Sequence, residues 1–191
     1  AKSKPNLYFL CDRRGTASNA MRFSQRCTEY FNDPPANYGQ FDDAFKYLSN
    51  RLGDKRMVIM IDEFSYLVEK DDSIPSVFQL IWDENLSKTN AMLVLCGSSV
   101  SMMLKGALSR ESPLYGRRTG QWKVEPLRFG NVMDFFPDAG IGRAIELYAL
   151  AGGIPQYLLK MEPARSVWEN MQEHIFSKGK FLYEEVSLLL S

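Results

Sequence analysis

The chain carries a single histidine, His174, and three cysteines, Cys11, Cys27 and Cys96. No two of them stand at the spacing zinc ligands need, so a zinc site is excluded. That lone histidine, with no Gly-x-Ser-x-Gly elbow in the sequence, also leaves a Ser-His-Asp hydrolase without support. Widely spaced cysteines of odd number in apolar contexts do not make a disulfide framework. They read as buried reduced thiols, which fits a cytoplasmic protein. Charge of one sign is missing too. Lys plus Arg and Asp plus Glu number 23 each, so no global field draws the chain to nucleic acid or an anionic membrane. No apolar run approaches the ~20 residues of a membrane helix, so no membrane partner is expected. No signal peptide, internal repeat or low-complexity tract is visible.

What is present is ordinary globular material: 45% apolar and 24% charged residues over a length of 191, enough for one domain with a small appendage. "NLYFLC" (6–11), "MVIMI" (57–61) and "AMLVLCG" (91–97) read as strands. The middle one lacks alternation, which predicts a strand covered on both faces, as in a parallel sheet. Between them, Ala20, Phe23, Cys27 and Phe31 recur at helical spacing. So do Phe41, Ala44, Phe45, Leu48 and Leu52, closed by Gly53, and then Ile74, Val77, Phe78 and Ile81. "SSVSMMLKGAL" reads as a helix starting at the third strand's carboxyl end. This is the alternation of an open α/β sheet. "WKVEPL" (122–127) is expected as a further strand. Beyond it the pattern is helical only, with stripes Ile141, Ala144, Ile145, Tyr148 and Val167, Trp168, Met171, Ile175, and a last helix over 181–190. The division expected is an α/β core over 1–129 and a small helical part over 130–191.

The second strand runs straight into Asp62 and Glu63. Carboxylates are costly to desolvate, so a pair at a strand tip suggests a task. In a nucleotide hydrolase, the first acid holds Mg²⁺ through water and the second polarises the attacking water. Consecutive residues leaving a strand point different ways, which allows that division. The plainer alternative is an exposed loop whose acids cap the next segment. Ser98 and Ser99 end the third strand, beside the same phosphate or simply as helix caps. Arg117 and Arg118 lie in a Gly-flanked loop with aromatics. Either could reach a phosphate, in this subunit or a neighbour's, or serve a structural ion pair. "LAGGIPQYL" holds Gly153 and Pro155 at a helix–helix junction, readable as a cap and a restart.

As a set, "MVIMIDEFSYL", "MLVLCGSSVSMM", "SPLYGRRTGQWKVEPLRF" and "AGGIPQYLL" resemble the archaeal-type P-loop ATPases of the AAA+/STAND branch, in the expected order over nearly the whole chain. The resemblance implies a parallel sheet of order 5-1-4-3-2 followed by a helical lid, with ATP and Mg²⁺ as cofactors. It also implies roles. Asp62 matches the Walker B aspartate, binding Mg²⁺ through water, and Glu63 the catalytic glutamate. Ser98 or Ser99 falls at the sensor-1 position, and Arg117 and Arg118 in the arginine-finger region. Gly153 and Pro155 match the G-x-P turn near the adenine. An arginine acting in trans implies a homo-oligomer. Nucleic acid would be met only through a C-terminal region outside this chain.

The departure is the phosphate loop. Nothing here matches G-x-x-x-x-G-K-[ST]; the glycines at 15, 39, 53 and 97 are isolated and none precedes Lys-[ST]. The backbone cradle for phosphates, the lysine and the metal-binding hydroxyl are therefore absent from these residues. The expectation is a fragment of a longer ATPase, lacking the first, central strand and hydrolysing little ATP alone. A degenerate, non-catalytic interaction module is the alternative. A metal-dependent nuclease using Asp62 and Glu63 would want a third acid and a lysine, for which Glu69-Lys70 is a poor candidate.

Overall fold

The structure is a computed structural model and describes residues 4–180 together with Leu182 and Tyr183. The chain divides between Gln121 and Trp122 into two units.

The first unit opens with strand β1 (Asn6–Leu10), helix α1 (Thr16–Phe31), helix α2 (Phe41–Leu52) and strand β2 (Met57–Asp62). Helix α3 (Phe64–Lys70) follows, then α4 (Ile74–Leu80), which runs on through π-type turns at Ile81–Leu86. Strand β3 (Ala91–Leu95) leads into α5 (Val100–Met103), extended by a π-type stretch at Leu104–Leu108. The strands pair in parallel in the order β1-β2-β3, with Leu10 opposite Asp62 and Ile61 opposite Leu95. Those three neighbours correspond to the 4-3-2 stretch of the order the resemblance implies. Parallel pairing brings the carboxyl ends of all three strands to one edge, where ligands of open α/β sheets bind.

Helices form where the sequence spacing directs. In α2, Asp42 and Asp43 in the first turn and Arg51 in the last complement the helix dipole. Asn32 closes α1 in the left-handed conformation at φ 54°, its N–H bonding back into the last turn. Phe23, Phe41, Phe45, Phe64 and Phe78 are fully buried together, in tilted and edge-on ring contacts of 4.6–6.5 Å. Each such ring contributes about 1.5–3 kcal/mol through the area it removes from water.

The core covers one face of the sheet. Met57, Ile59 and Ile61 are buried with Leu7 and Phe9, while Tyr8, Leu10 and Met92 on the opposite face stay exposed. β2 therefore alternates in burial where its unbroken apolar run suggests cover on both sides.

The second unit contains α6 (Phe129–Val132), α7 (Ile141–Ala151), α8 (Pro155–Leu158) and α9 (Val167–Met171), the last continued by π-type turns at Gln172–Phe176. Val132, Phe136, Leu147, Ala151, Leu158, Met161 and Leu182 form its core. On α7 the inward stripe is Ala144, Leu147 and Ala151, whereas Ile141 and Ile145, expected inside, are exposed. Asn170 is fully buried and spans the chain from Glu162 to Ser166 with four hydrogen bonds of 2.8–3.3 Å.

The expected strand at 122–127 is an extended segment without a ladder, its Trp122 and Val124 more than four-fifths exposed. A strand requires a paired edge, and among the described residues only Leu127, at the end of the segment, bonds a neighbouring backbone, that of Gly153. The expected helix over 181–190 falls outside the described residues, except at Leu182 and Tyr183. Among the described residues, no helix is long and apolar enough to cross a membrane.

Candidate functional site at the strand tips

The strand tips are tied together by backbone. Cys11 N donates to Asp62 O at 2.9 Å, Cys96 N to Ile61 O at 2.9 Å, and Phe64 N to Cys96 O at 2.8 Å. Strand alternation turns Ile61 into the core and sends Asp62 to the opposite face. There Oδ1 of Asp62 accepts the Glu63 N–H at 3.0 Å and Oδ2 accepts the Tyr8 hydroxyl at 2.7 Å.

Glu63 leaves the strand in the left-handed conformation, φ 52° and ψ 37°. A non-glycine residue there carries strain of about 1–2 kcal/mol, a cost often met at functional positions. The turn directs its side chain across to the end of β3, where Oε2 accepts the Ser98 hydroxyl at 3.1 Å, the Ser98 N–H at 3.4 Å and the Ser65 hydroxyl at 3.2 Å. Oε1 has no protein partner among the described residues. Of the two candidate serines, Ser98 thus meets the glutamate. Ser99 instead caps α5, accepting from Met102 N, and contacts the Ser101 hydroxyl.

The two arginines separate as clearly. Arg117 closes a two-pronged ion pair on Asp83, Nε to Oδ1 at 2.8 Å and Nη2 to Oδ2 at 2.6 Å, and its Nη1 donates to Pro113 O at 2.8 Å. This guanidinium holds the Asp83 carboxyl below the usual carboxylate range, and Arg117 is raised in return. Arg118 lies over the Tyr115 ring, 4.8 Å from its centre, and bonds the Gln121 side chain. Among the described residues it has no carboxylate partner. Neither arginine contacts Asp62, Glu63 or Ser98.

In the second unit, Gly153 packs so closely on Leu127 that a Cβ would lie 2.0 Å from the Leu127 carbonyl oxygen, and its own carbonyl accepts Leu127 N at 2.7 Å. Only glycine fits. Pro155 opens α8 at its first turn, where its missing N–H has no helical partner to lose.

The residues suit a hydrated Mg²⁺ and not a protein-caged metal. Among the described residues, no group of three or more His, Cys, Asp or Glu side chains could enclose an ion. Mg²⁺ keeps most of its waters and rests on one or two carboxylates plus substrate phosphates, and Asp62 with acceptor sites to spare offers that kind of support. The neighbouring acid, Asp12, is not available: Arg14 and Arg22 bind it at 2.6–2.9 Å. Burial pushes the Cys11 and Cys27 thiols up to about 12 and raises Cys96, so none is an activated nucleophile.

Sequence reading missed Tyr8 and Ser65. Ser65 follows the acids by two positions and could have been weighed as a local partner. Tyr8 lies 54 residues from Asp62, and only the strand register brings them together.

A profile of ATPase domains predominantly from Archaea matches residues 13–161. An uncharacterized protein of Methanocaldococcus jannaschii is 34% identical over 189 residues, which is 99% of this chain and 40% of that protein. A second uncharacterized protein of the same organism is 44% identical over 57 residues, 30% of this chain and 55% of that protein. The chain therefore spans well under two thirds of the length of either. Among solved structures, a Walker-type ATPase of Pyrococcus abyssi shares the fold at a TM-score of 0.62 and 18% identity, covering 99% of this chain and 65% of that one.

Proposed function

The chain belongs to the family of ATPase domains found predominantly in Archaea, and from that premise we propose that its strand tips are the hydrolytic part of an ATP·Mg²⁺ site. The observation that carries this reading is the bond from Ser98 Oγ to Glu63 Oε2, 3.1 Å, immediately beside Asp62. An acid that merely capped α3 would have no need to be gripped from the next strand.

In this reading Asp62 would hold a Mg²⁺ through its waters, and the ion, when bound, would supply charge neutralisation at the transferring phosphoryl group. Glu63 orients and deprotonates the attacking water through Oε1, which has no partner among the described residues, while Ser98, whose hydroxyl proton is given to Oε2, fixes the glutamate. Arg118, without a carboxylate partner among the described residues, is the arginine that offsets transition-state charge, in this subunit or in a neighbouring copy. Arg117 is committed to Asp83 and serves the fold. Within the helical unit, taken by itself, the Gly153–Pro155 turn is the segment the resemblance assigns to the neighbourhood of the adenine. No stretch of this chain matches the glycine-rich phosphate loop, so the chain alone should turn over little ATP.

The test is Glu63→Gln in the longest natural polypeptide that contains this chain. Nucleotide binding should persist while turnover falls by about a hundredfold or more. An unsubstituted full polypeptide that binds no ATP in the presence of Mg²⁺ would instead identify a non-catalytic interaction module.

A further inference from the structure

Tyr8 lies at the middle of β1, paired in register with Met60, and shares the exposed sheet face with Leu10 and Asp62. Its ring is 47% exposed and fills no part of the core. A phenol so placed could bond water; instead its O–H is donated to Oδ2 of Asp62 at 2.7 Å. The other carboxylate oxygen accepts the Glu63 N–H at 3.0 Å. Both oxygens are thus held, by donors on two sides, and swinging the carboxylate about its terminal torsion breaks both bonds. Yet an ionised carboxylate has about four acceptor sites, so two remain free and their directions are set. The bond to Tyr8 is charge-assisted and short, the kind that fixes orientation best.

We propose that Tyr8 is a positioning residue for Asp62, locking its carboxylate in the orientation that receives the water shell of a nucleotide-bound divalent cation. This rests on the reading of Asp62 as the metal-supporting acid. A water-mediated site depends on such positioning more than a direct one does. Several ligand waters can each satisfy a freely turning carboxylate, and only a held one selects a single arrangement. Orienting partners of this type commonly carry a tenfold or greater share of metal affinity.

The experiment uses the full natural polypeptide, unsubstituted and as Tyr8→Phe and Asp62→Asn. Mn²⁺ is the probe, its binding followed by electron paramagnetic resonance in the presence of ADP, beside ADP binding without metal and thermal unfolding without ligand. Tyr8→Phe should weaken Mn²⁺ about tenfold, leave metal-free ADP binding and the thermal midpoint unchanged, and raise the Mg²⁺ needed for half-maximal turnover by a similar factor. If Asp62→Asn loses Mn²⁺ while Tyr8→Phe binds it as the unsubstituted protein does, the role of Tyr8 is overturned and Asp62 keeps its own. If both variants bind Mn²⁺ normally, the metal-supporting role of Asp62 fails and the inference falls with it. A Tyr8→Phe midpoint that drops in step with metal affinity also overturns it, since the hydroxyl then serves the fold.

Discussion

Ser98 and Glu63, 35 residues apart in sequence, meet at 3.1 Å because parallel pairing of β2 and β3 brings their carboxyl ends side by side. The left-handed turn at Glu63 completes the approach by aiming its side chain along the sheet edge. Strand register and one unfavourable backbone angle thus set a polar contact that neither segment could form alone.

Ser98→Ala removes the hydroxyl from Oε2 and leaves the backbone bond at 3.4 Å and the Ser65 hydroxyl at 3.2 Å. Turnover in the full polypeptide should fall about tenfold to a hundredfold with ATP affinity little changed. Ser99→Ala should leave turnover intact and lower stability by about 0.5–1 kcal/mol through its cap on α5. Steady-state kinetics beside urea unfolding separates the two. Equal kinetic losses from both serines would remove the distinction drawn from geometry.

Arg117→Ala and Arg118→Ala should part company in the opposite sense. Loss of Arg117 strands Asp83 and frees the loop from Pro113, so thermal stability drops slightly while residual turnover survives. Loss of Arg118 breaks a stacking contact with Tyr115, a long bond to the Tyr115 carbonyl oxygen and a bond to Gln121, all local and exposed, so stability holds and turnover falls about a thousandfold. Should Arg117→Ala alone abolish turnover, the pairing with Asp83 is a resting arrangement and not a fixed one.

Such contrasts mark where the sequence could be read and where it could not. Asp62 and Glu63 are legible because an apolar run ending in two acids is a local signal. The helix over Phe41–Leu52 is legible because its stripe and its acidic first turn lie within it and Gly53 follows directly. The choice between Arg117 and Arg118 is not, since Asp83 stands 34 residues away. Tyr8 is hidden for the same reason. The segment 122–127 has strand chemistry, alternating Trp122 and Val124 with Lys123 and Glu125, yet strand formation depends on a neighbouring edge that composition does not supply. On α7 the expected stripe and the buried one share Ala144 and then part: Leu147 and Ala151 are buried while Ile141 and Ile145 are exposed, a choice of face made by tertiary packing that helical spacing alone does not supply.

Gly153→Ala places a methyl group 2.0 Å from the Leu127 carbonyl oxygen, a backbone atom that no rotamer change can move aside. The helical unit should lose about 2–3 kcal/mol, with the amide of Leu127 exchanging faster because its bond to Gly153 O is disturbed. Hydrogen exchange resolved by residue is the suitable measurement. A variant with unchanged protection at Leu127 would show that the segment slides without cost.

Acid should act on the first unit through Asp12. Its carboxylate accepts Arg14 Nε at 2.9 Å, Arg14 Nη2 at 2.7 Å, the Arg14 N–H at 2.9 Å and Arg22 Nη1 at 2.6 Å. The Arg14 bonds chiefly, with Arg22 assisting, hold it from an ordinary 3.8 down to about 2. The unfolded chain keeps the ordinary value, so between these two values it binds the proton and the native state does not. The contribution of Asp12 is therefore complete above about pH 4 and disappears as pH falls through about 2. Asp12→Asn should be less stable than the unsubstituted protein at neutral pH and should lose less on acidification through that window. Urea midpoints taken from neutral pH down to about 2 read this directly. Two curves that stay parallel throughout would mean that the Asp12 carboxylate adds nothing to native stability, and that the loop joining β1 to α1 is held by the Cys11 bond to Asp62, the Asn19 side chain and the contacts of Arg13 with Glu69 and Tyr66.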